Sequence, residues 1–366
     1  MKKKTVFLVG DIGSDSRGYF HVGDEAMWVA NADRYLSKNW NVIASSRDSN
    51  DVYKEVQFIS DVLIKDGKRY NKLITQEGIS DNTDIHSAIH GSNIVHISGG
   101  GNINNLWIGH FYYRCYILHL AHLYRKPVVI TSQTVGPLNN AQLKLLGKYT
   151  RNVIHFGLRD ICKSVNLVEQ AGFSKSIVFV GPDDAVNIAH DQNILNKKYV
   201  SVSVHDNESK LASIHNIYDR NDEKCIIPHV FDDSSYEGEK FGINICDMVL
   251  SQMTKDAKVD YILNMTKQSK LVITTRYHAA VFALMLGIPT IMLYKDDYYK
   301  TKFQGLIDYF ELDGKKLLHS SEAGLVDTFI NDVYNEFSKK LDLEKIQKKT
   351  HIYRKRIYET IERYTT

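Results

Sequence analysis

The sequence lacks the features that mark metal-binding, disulfide-rich or nucleic-acid-binding proteins. Its four cysteines show no CxxC or other metal-ligand spacing, so we expect reduced and mostly buried thiols. Its 46 Lys and Arg residues are nearly balanced by 43 Asp and Glu residues, and the net charge of +3 offers no basic surface to nucleic acid. We therefore predict no metal site and no nucleic-acid partner.

Long apolar runs are also absent. The first run, residues 6–9, is far too short for the apolar core of a signal peptide. The longest run, residues 279–293, contains Gly287 and Pro289 and falls short of the roughly 20 residues that cross a bilayer. We therefore expect a cytoplasmic protein that makes at most a peripheral contact with the inner face of the membrane.

Short β-rich apolar runs alternate with helical patterns over almost the whole chain. This alternation predicts parallel sheets covered by helices, and a chain of 366 residues exceeds one ordinary core. We predict an α/β protein with two Rossmann-like, doubly wound domains that face a cleft. The candidate strands are residues 6–9, 42–44, 94–97, 128–131, 153–157, 177–180, 200–204, 225–227, 271–274 and 290–293.

The polar stretch at residues 189–200 separates two series of strands, so we place the domain boundary there. The predicted domains are residues 1–190 and 198–335. Residues 341–366 repeat apolar side chains at helical spacing, with Lys and Arg on the other face. We expect this helix to pack back on the N-terminal domain; the alternative is a basic surface helix that touches an anionic membrane. Residues 48–92 fit a hairpin or a helix equally well.

Glycines or polar residues follow nearly every predicted strand. In open α/β sheets ligands bind outside the carboxyl ends of strands, near helix N-termini. In "SGGGNI" the three glycines, Gly99, Gly100 and Gly101, allow the backbone to approach a phosphate or a flat substrate edge, or they form a tight turn. The stretch is neither GxGxxG nor a P-loop, so no dinucleotide or ATPase assignment follows.

Charged residues occupy several of these turns. Asp24 and Glu25 open a helix in "HVGDEAM", where they cap its N-terminus or act as a base or hydroxyl acceptor. Arg159 in "GLRD" reaches a carboxylate of its own domain or binds an anionic ligand. His229 in "IPHV" is a lone histidine at a strand end, a position that is more often packed than catalytic. Arg276 and His278 in "TRYH" stand between a buried strand and an apolar helix.

Seven motifs together resemble the polysaccharide pyruvyl transferase family, in order over roughly residues 6–293. They are "HVGDEAM", "SGGGN", "SQTVGPL", "GLRD", "GPDDAV", "IPHV" and "TRYHAAVFALMLGIPTIML". The resemblance implies a fold like that of the B-type glycosyltransferases. It also implies transfer of the enolpyruvyl unit of phosphoenolpyruvate onto two hydroxyls of a sugar, free or lipid-linked, to give a pyruvate ketal without a cofactor. One departure is His21, where the family more often has Asn.

The resemblance also implies roles for the residues. The N-terminal domain becomes the acceptor side and the C-terminal domain the donor side. Arg276 and His278 fall on the family's donor-binding Arg and His, Arg159 also faces the donor, and His278 is the candidate general acid. The base is left open among Asp24, Glu25, Asp183 and Asp184, and we favour the first two. The donor-binding candidates are Arg159, His229, Arg276 and His278, and the acceptor or cleft candidates are Gly99, Gly100, Gly101, Asn102, Gln133, Asp183 and Asp184.

Two other functions fit the same pattern. One is a nucleotide-sugar glycosyltransferase of B-type fold, which would place a helix N-terminus and basic residues on a diphosphate. The other is a non-catalytic, sugar-binding member of a capsule pathway. Fold alone does not separate these functions from pyruvyl transfer.

Overall fold

Parallel strands alternating with helices build two separate sheets in the computed structural model. The structure describes residues 3–13, 20–48, 50–61, 67–74, 83–161, 163–188, 196–204, 223–230, 243–244, 247–312, 317–325, 330, 333 and 341–365. The chain divides into two units. The first unit comprises Met1–Gly13, Met27–Asn187 and Thr350–Thr366, and the second comprises Ser14–Ala26 and Ile188–Lys349.

The first unit contains a sheet with strand order β3-β2-β1-β4-β6-β7-β8, and β5 pairs with β6. All its registered pairs are parallel. Its strands are β1 (Thr5–Val9), β2 (Asn41–Ser46), β3 (Gln57–Ser60), β4 (Ile94–Ile97), β5 (Gly100–Ile103), β6 (Val128–Val135), β7 (Val153–Leu158) and β8 (Val178–Val180). The strand order reverses direction between β1 and β4, as in doubly wound sheets that bind ligands at that point.

The helices of the first sheet are α1 (Val22–Ser37), α2 (Gly67–Ile74), α3 (Thr83–Gly91), α4 (Ile108–Leu123), α5 (Asn140–Gly147) and α6 (Lys163–Gln170). All eight residues of β6 are buried, because a parallel sheet is covered on both faces. The division between the units falls inside α1, whose first residues up to Ala26 belong to the second unit.

The second unit contains a sheet with strand order β11-β10-β9-β12-β13-β14, again parallel in every registered pair. Its strands are β9 (Tyr199–Ser203), β10 (Glu223–Ile226), β11 (Ile243–Asn244), β12 (Ser269–Thr274), β13 (Thr290–Tyr294) and β14 (Leu317–His319). Its helices are α7 (Asp247–Ser251), α8 (Lys255–Lys267), α9 (Tyr277–Met285) and α10 (Asp297–Phe310). Here the order reverses between β9 and β12.

The C-terminal helix α11 (Leu343–Thr365) belongs to the first unit from Thr350 onward. Its Ile357 and Ile361 pack in one apolar cluster with residues of β1. Tyr353 lies against Gly157 and Gly181, where an added Cβ would come within 2.3 Å of its ring or hydroxyl. Glycine at these positions therefore makes room for the tyrosine of the last helix.

The α/β class predicted from the sequence is confirmed, and each candidate strand overlaps an observed one. Four short strands, β3, β5, β11 and β14, are not predicted. Residues 48–92 contain β3, α2 and α3. The predicted N-terminal domain included residues 20–26, which the structure places in the second unit. Of the cysteines, Cys115 and Cys225 are buried free thiols, and Cys162 and Cys246 lie outside the described residues.

Candidate functional site

The turn between β12 and α9 presents Arg276 and His278 in the second unit. Thr274 fixes this turn: its hydroxyl donates to the Ser203 carbonyl at 2.6 Å and accepts from the Arg276 N–H at 2.7 Å. Arg276 is the N-cap of α9 in an extended conformation. Its backbone is therefore tied to both strands that flank the reversal point of the second sheet.

Helix α9 is buried around its whole circumference except at one residue. Eight of its nine residues are buried, and the exception is the partly exposed His278. Tyr277, between Arg276 and His278, turns inward, with its ring 6.1 Å from that of Phe303 and 4.9 Å from Nζ of Lys302. An apolar helix of this kind is packed in the core on every side. It therefore fixes the positions of the partly exposed Arg276 and His278.

His229 comes next to these two residues from the end of β10. Its ring is 3% exposed and lies 5.4 Å from the ring of Phe282. Burial, and to a smaller extent the electrostatic interaction with His278 and Arg276, lowers the pKa of His229 to about 3. At neutral pH this imidazole is uncharged, so it can donate or accept a hydrogen bond without adding positive charge to the site.

The stretch "HVGDE" joins the same site. The Val22 N–H donates to the His229 carbonyl at 3.0 Å, and His21 forms an antiparallel bridge with Val230. A Cβ added to Gly23 would lie 1.8 Å from Nδ1 of His278. Three motifs that are far apart in the sequence, "HVGDE", "IPHV" and "TRYH", therefore converge within the second unit.

The two carboxylates of this stretch have different surroundings. Asp24 is partly exposed, with Oδ2 3.4 Å from Nδ1 of His21. Glu25 forms an ion pair with Lys258, 3.0 Å from Oε1 to Nζ, and both side chains are almost fully buried. The ammonium of Lys258 also lies 4.8 Å from the ring of Phe20. Of the pair favoured as base, Asp24 is thus the more accessible and Glu25 is engaged in packing the helix N-terminus.

The buried Glu25–Lys258 pair yields a stability prediction. Lys258→Met leaves a carboxylate buried without its cation, so we expect the free energy of unfolding to fall by about 3–5 kcal/mol. The double variant Glu25→Leu/Lys258→Met should regain most of that loss, because it removes both charges. Chemical denaturation measures both changes.

The matched control is the exposed pair Lys355–Glu359, where Lys355→Met should cost less than about 1 kcal/mol. Equal losses at the two pairs, or a double variant no more stable than Lys258→Met, would contradict the assignment of Glu25 and Lys258 as a buried pair.

The other predicted site residues lie in the first unit. Asp184 is fully buried, and its carboxylate accepts hydrogen bonds from Asn31 Nδ2, Gly99 N, Thr131 Oγ1 and Ser132 Oγ. Burial raises the pKa of Asp184, and these donors counteract that rise. Asp184 therefore ties α1, the end of β4 and β6 together from inside the sheet.

The glycines of "SGGGN" build strand and packing contacts. Gly100 and Gly101 belong to β5, and a Cβ on Gly99 would come within 2.5 Å of Met27 Sδ and 2.9 Å of Ser132 Cβ. The Gly99 N–H is occupied by Asp184 at 3.0 Å. The sequence leaves open an approach to a ligand or a tight turn; the structure shows Gly99 packed against protein atoms, and contact of these glycines with a ligand stays a prediction.

Arg159 and Asp183 form a buried ion pair, 2.5 Å from Nη1 to Oδ2. Nε of Arg159 donates to Thr134 Oγ1 at 2.9 Å. Of the two roles that the sequence leaves open for Arg159, the structure shows the pairing with a carboxylate of its own domain. Gln133 is also buried, and its Nε2 donates to the Ser98 carbonyl at 2.8 Å.

Two residues of the site were not found from the sequence. No sequence pattern points to Gly23, because its role depends on a contact with His278, which is far away in the chain. A sequence pattern does point to Lys258. It lies four residues before Ile262 on the buried side of α8, where a lysine interrupts an apolar stripe. Within the ranges given above, no group of three or more His, Cys, Asp or Glu side chains could hold a metal ion. No helix among the described segments is long and apolar enough to cross a membrane.

Comparison with solved structures supports the two-sheet architecture. The chain is similar to the UDP-GlcNAc 2-epimerase of Neisseria meningitidis, with TM-score 0.60 and 11% identity over 97% of this chain and 100% of that chain. It is also similar to a glycosyltransferase from Rickettsia africae, with TM-score 0.58 and 11% identity over 100% and 99% of the two chains. These likenesses concern the fold alone, and the predicted B-type fold is confirmed.

Sequence comparison gives the family. No protein of curated function matches the chain significantly. The family model for polysaccharide pyruvyl transferase matches residues 21–297, a span that begins at His21 and includes "IPHV" and "TRYH". This enzyme therefore belongs to the polysaccharide pyruvyl transferase family.

Proposed function

We propose that this enzyme moves the enolpyruvyl unit of phosphoenolpyruvate onto two hydroxyls of one sugar, in a surface polysaccharide or its lipid-linked precursor, and forms a pyruvate ketal. The observation that carries the proposal is the convergence of Arg276, His278 and the neutral His229 in the second unit. These residues follow β12 and β10 at their carboxyl ends, next to the reversal point of the second sheet, where doubly wound sheets bind ligands.

Arg276 suits the donor because phosphoenolpyruvate carries a phosphate and a carboxylate. A guanidinium is permanently charged and planar, and it binds either group through two parallel hydrogen bonds. Its backbone is anchored by Thr274, so little ordering is needed when the anion binds. His229 can add a hydrogen bond from a neutral ring, while the donor's charge is balanced by Arg276.

The reaction balances with one acid and one base. A proton reaches the methylene carbon of the donor, and the oxygen of a sugar hydroxyl attacks the adjacent carbon. Phosphate then leaves with the C–O bond electrons, and the second hydroxyl closes the ketal. The protons of the two hydroxyls end on the new methyl group and on phosphate. We assign His278 as the acid and Asp24 as the base, because both are partly exposed.

A donor panel tests the proposal. Phosphoenolpyruvate at a hundredfold excess over its dissociation constant should stabilise the protein by about 2.7 kcal/mol, and uridine or guanosine nucleotide sugars should not. Arg276→Ala should abolish this stabilisation, whereas the exposed Arg151→Ala should keep it. Mass spectrometry of acceptor glycans then detects the added pyruvate.

Each alternative function has its own outcome in this panel. Stabilisation by a nucleotide sugar alone would identify a glycosyltransferase and overturn the proposal. Stabilisation by neither class of donor would favour a non-catalytic, sugar-binding member of the family. If Arg276→Ala merely unfolds the protein, Arg276 is structural.

A further inference from the structure

Two arginines lie close together in the first unit, where α1 packs on α11. The two helices share one apolar cluster, to which α1 contributes Trp28 and Tyr35 and α11 contributes Ile357 and Ile361. Tyr358 packs at the border of this cluster, and its ring lies 6.2 Å from that of Tyr35. Helix α11 therefore presents the Tyr358 side chain to α1.

Arg34 of α1 and Arg354 of α11 both contact Tyr358. Cζ of Arg34 lies 4.2 Å from the centroid of the Tyr358 ring, which is a cation–π contact. Arg354 precedes Tyr358 by one helical turn on the same face of α11, and it donates a hydrogen bond to the Tyr358 hydroxyl. Nη1 of Arg354 also donates to the Asn187 carbonyl at 3.5 Å. We call Arg34, Arg354 and Tyr358, which are all partly exposed, the two-arginine cluster.

The positive charges of this cluster have no ion-pair partner among the described residues. The carboxylate of Asp184 acts on Arg354 electrostatically, but its oxygens are occupied by the four donors described above. Nε of Arg34 is buried and has no hydrogen-bond partner in the described part of the chain, although buried polar groups are normally paired. The internal contacts of the cluster therefore leave donors and charge unused.

The two guanidinium groups also act on each other. Burial lowers the pKa of Arg354, and the like charge of Arg34 acts in the same direction. Both effects disfavour the charged form of Arg354, and an anion beside the two groups would counteract both. An anionic ligand is therefore the partner that the electrostatics of this cluster favour.

A phosphate group fits what the cluster offers. It carries a charge of about −1.5 to −2 near neutral pH, which two guanidinium groups balance, and its oxygens accept parallel hydrogen bonds from each. Burial raises the pKa of Tyr358, so its hydroxyl stays protonated and can donate to the ligand while it accepts from Arg354. A carboxylate, with one charge and two oxygens, would leave part of this set unused.

We propose that the two-arginine cluster binds a phosphate monoester group. The guanidinium groups of Arg34 and Arg354 bind its oxygens, and the Tyr358 hydroxyl donates to one of them. A soluble phosphate and the headgroup of an anionic lipid present the same chemistry, and the experiment separates the two. The cluster contains none of the residues assigned to the donor, the acid or the base, so this inference does not rest on the proposed function.

Calorimetric titration of the full-length protein, at constant ionic strength in chloride, measures the binding of inorganic phosphate and glycerol 3-phosphate. The background is Arg276→Ala, so that phosphate bound at the proposed donor site does not contribute. We expect saturable binding that Arg34→Met or Arg354→Met weakens at least about tenfold, because each removes one charged fork. Tyr358→Phe should weaken it less. The control is Arg151→Met, which removes an exposed arginine of the first unit and should have no effect.

Vesicles separate the two sources of phosphate. Sedimentation with phosphatidylcholine vesicles, with and without phosphatidic acid, shows whether the protein binds a lipid headgroup and whether Arg34→Met abolishes that binding. Binding of the soluble probes identifies a site for a soluble phosphate; binding of phosphatidic acid alone identifies a lipid site. Both results support the inference if they depend on the two arginines.

Three results would overturn the inference. They are failure of every phosphate probe to bind, binding that is unchanged in both methionine variants, and equal affinity for acetate. If thermal unfolding shows that the methionine variants do not fold, Arg34→Lys and Arg354→Lys decide, because lysine keeps the charge and loses the planar fork. Unchanged affinity in both lysine variants overturns the inference as well. If Arg276→Ala does not fold, the same series in the wild-type chain should lose one class of phosphate site.

Discussion

Gly23→Ala should lower the rate of pyruvyl transfer by about a hundredfold or more, since a displacement of about 1 Å at a catalytic group has that effect. The added Cβ would lie 1.8 Å from Nδ1 and 2.4 Å from Cβ of His278. Rotation of the imidazole cannot relieve both contacts, so the His278 backbone or the start of α1 must move. Alanine also favours the helix by about 1 kcal/mol over glycine, so the second unit should stay folded.

Steady-state kinetics with a thermal unfolding curve for each variant measures this effect. The control is Gly91→Ala, where an added Cβ meets no atom within 4 Å. In a His278→Ala background, Gly23→Ala should cost little further activity, because residues that act as one unit are not additive. Wild-type turnover in Gly23→Ala would show that the position of His278 does not limit the reaction.

Part of the site around Arg276 and His278 could be predicted from the sequence. Arg276 and His278 interrupt an otherwise apolar strand–helix unit, and a polar break of that kind at a strand end is visible in a single sequence. Their neighbours Gly23 and Lys258 depend on contacts between segments more than 230 residues apart, as the Lys258–Glu25 hydrogen bond shows. Sequence periodicity describes one element at a time and carries no information on such contacts.

The glycines and carboxylates in the family-like motifs of the first unit make contacts within the protein. Gly157 in "GLRD" and Gly181 in "GPDDAV" accommodate the Tyr353 ring, and Asp184 binds the strand ends together. From the sequence, glycines and carboxylates after strands predict ligand contacts, because exposed loops carry most functional residues. In the structure these groups are buried and contact protein atoms, and their role at a ligand stays a prediction.

The fold was more predictable than the site. Strands rich in β-branched residues such as β1 and β12 are recognisable because each is buried at all but one residue. The strand β5 has the sequence "GGNI", in which three of the four residues, Gly, Gly and Asn, are depleted in strands. It nevertheless pairs with β6, Gly100 opposite Gln133 and Ile103 opposite Val135. Tertiary contacts therefore decide where local preference is weak.

Three buried histidines should each lower the stability of the protein in mild acid. His96 and His155 in the first unit and His229 in the second each have a pKa lowered to about 3, chiefly by burial. Between pH 6.5 and 3 the unfolded chain binds protons that the folded chain does not, so the free energy of unfolding falls as the pH falls. Each histidine contributes about 1.4 kcal/mol per pH unit in this window.

At pH 5 this amounts to a loss of about 2 kcal/mol for each histidine relative to pH 7, which the carboxyl of Asp61, whose pKa is raised to about 6, partly offsets. Calorimetry between these pH values measures it. His155→Gln should remove about 2 kcal/mol of the loss, and the exposed His351→Gln should leave it unchanged. This result requires that His155, whose ring stacks on Phe179 at 4.9 Å, stays neutral in the folded protein. If His155→Gln leaves the slope of the unfolding free energy against pH unaltered, His155 is protonated in the folded protein.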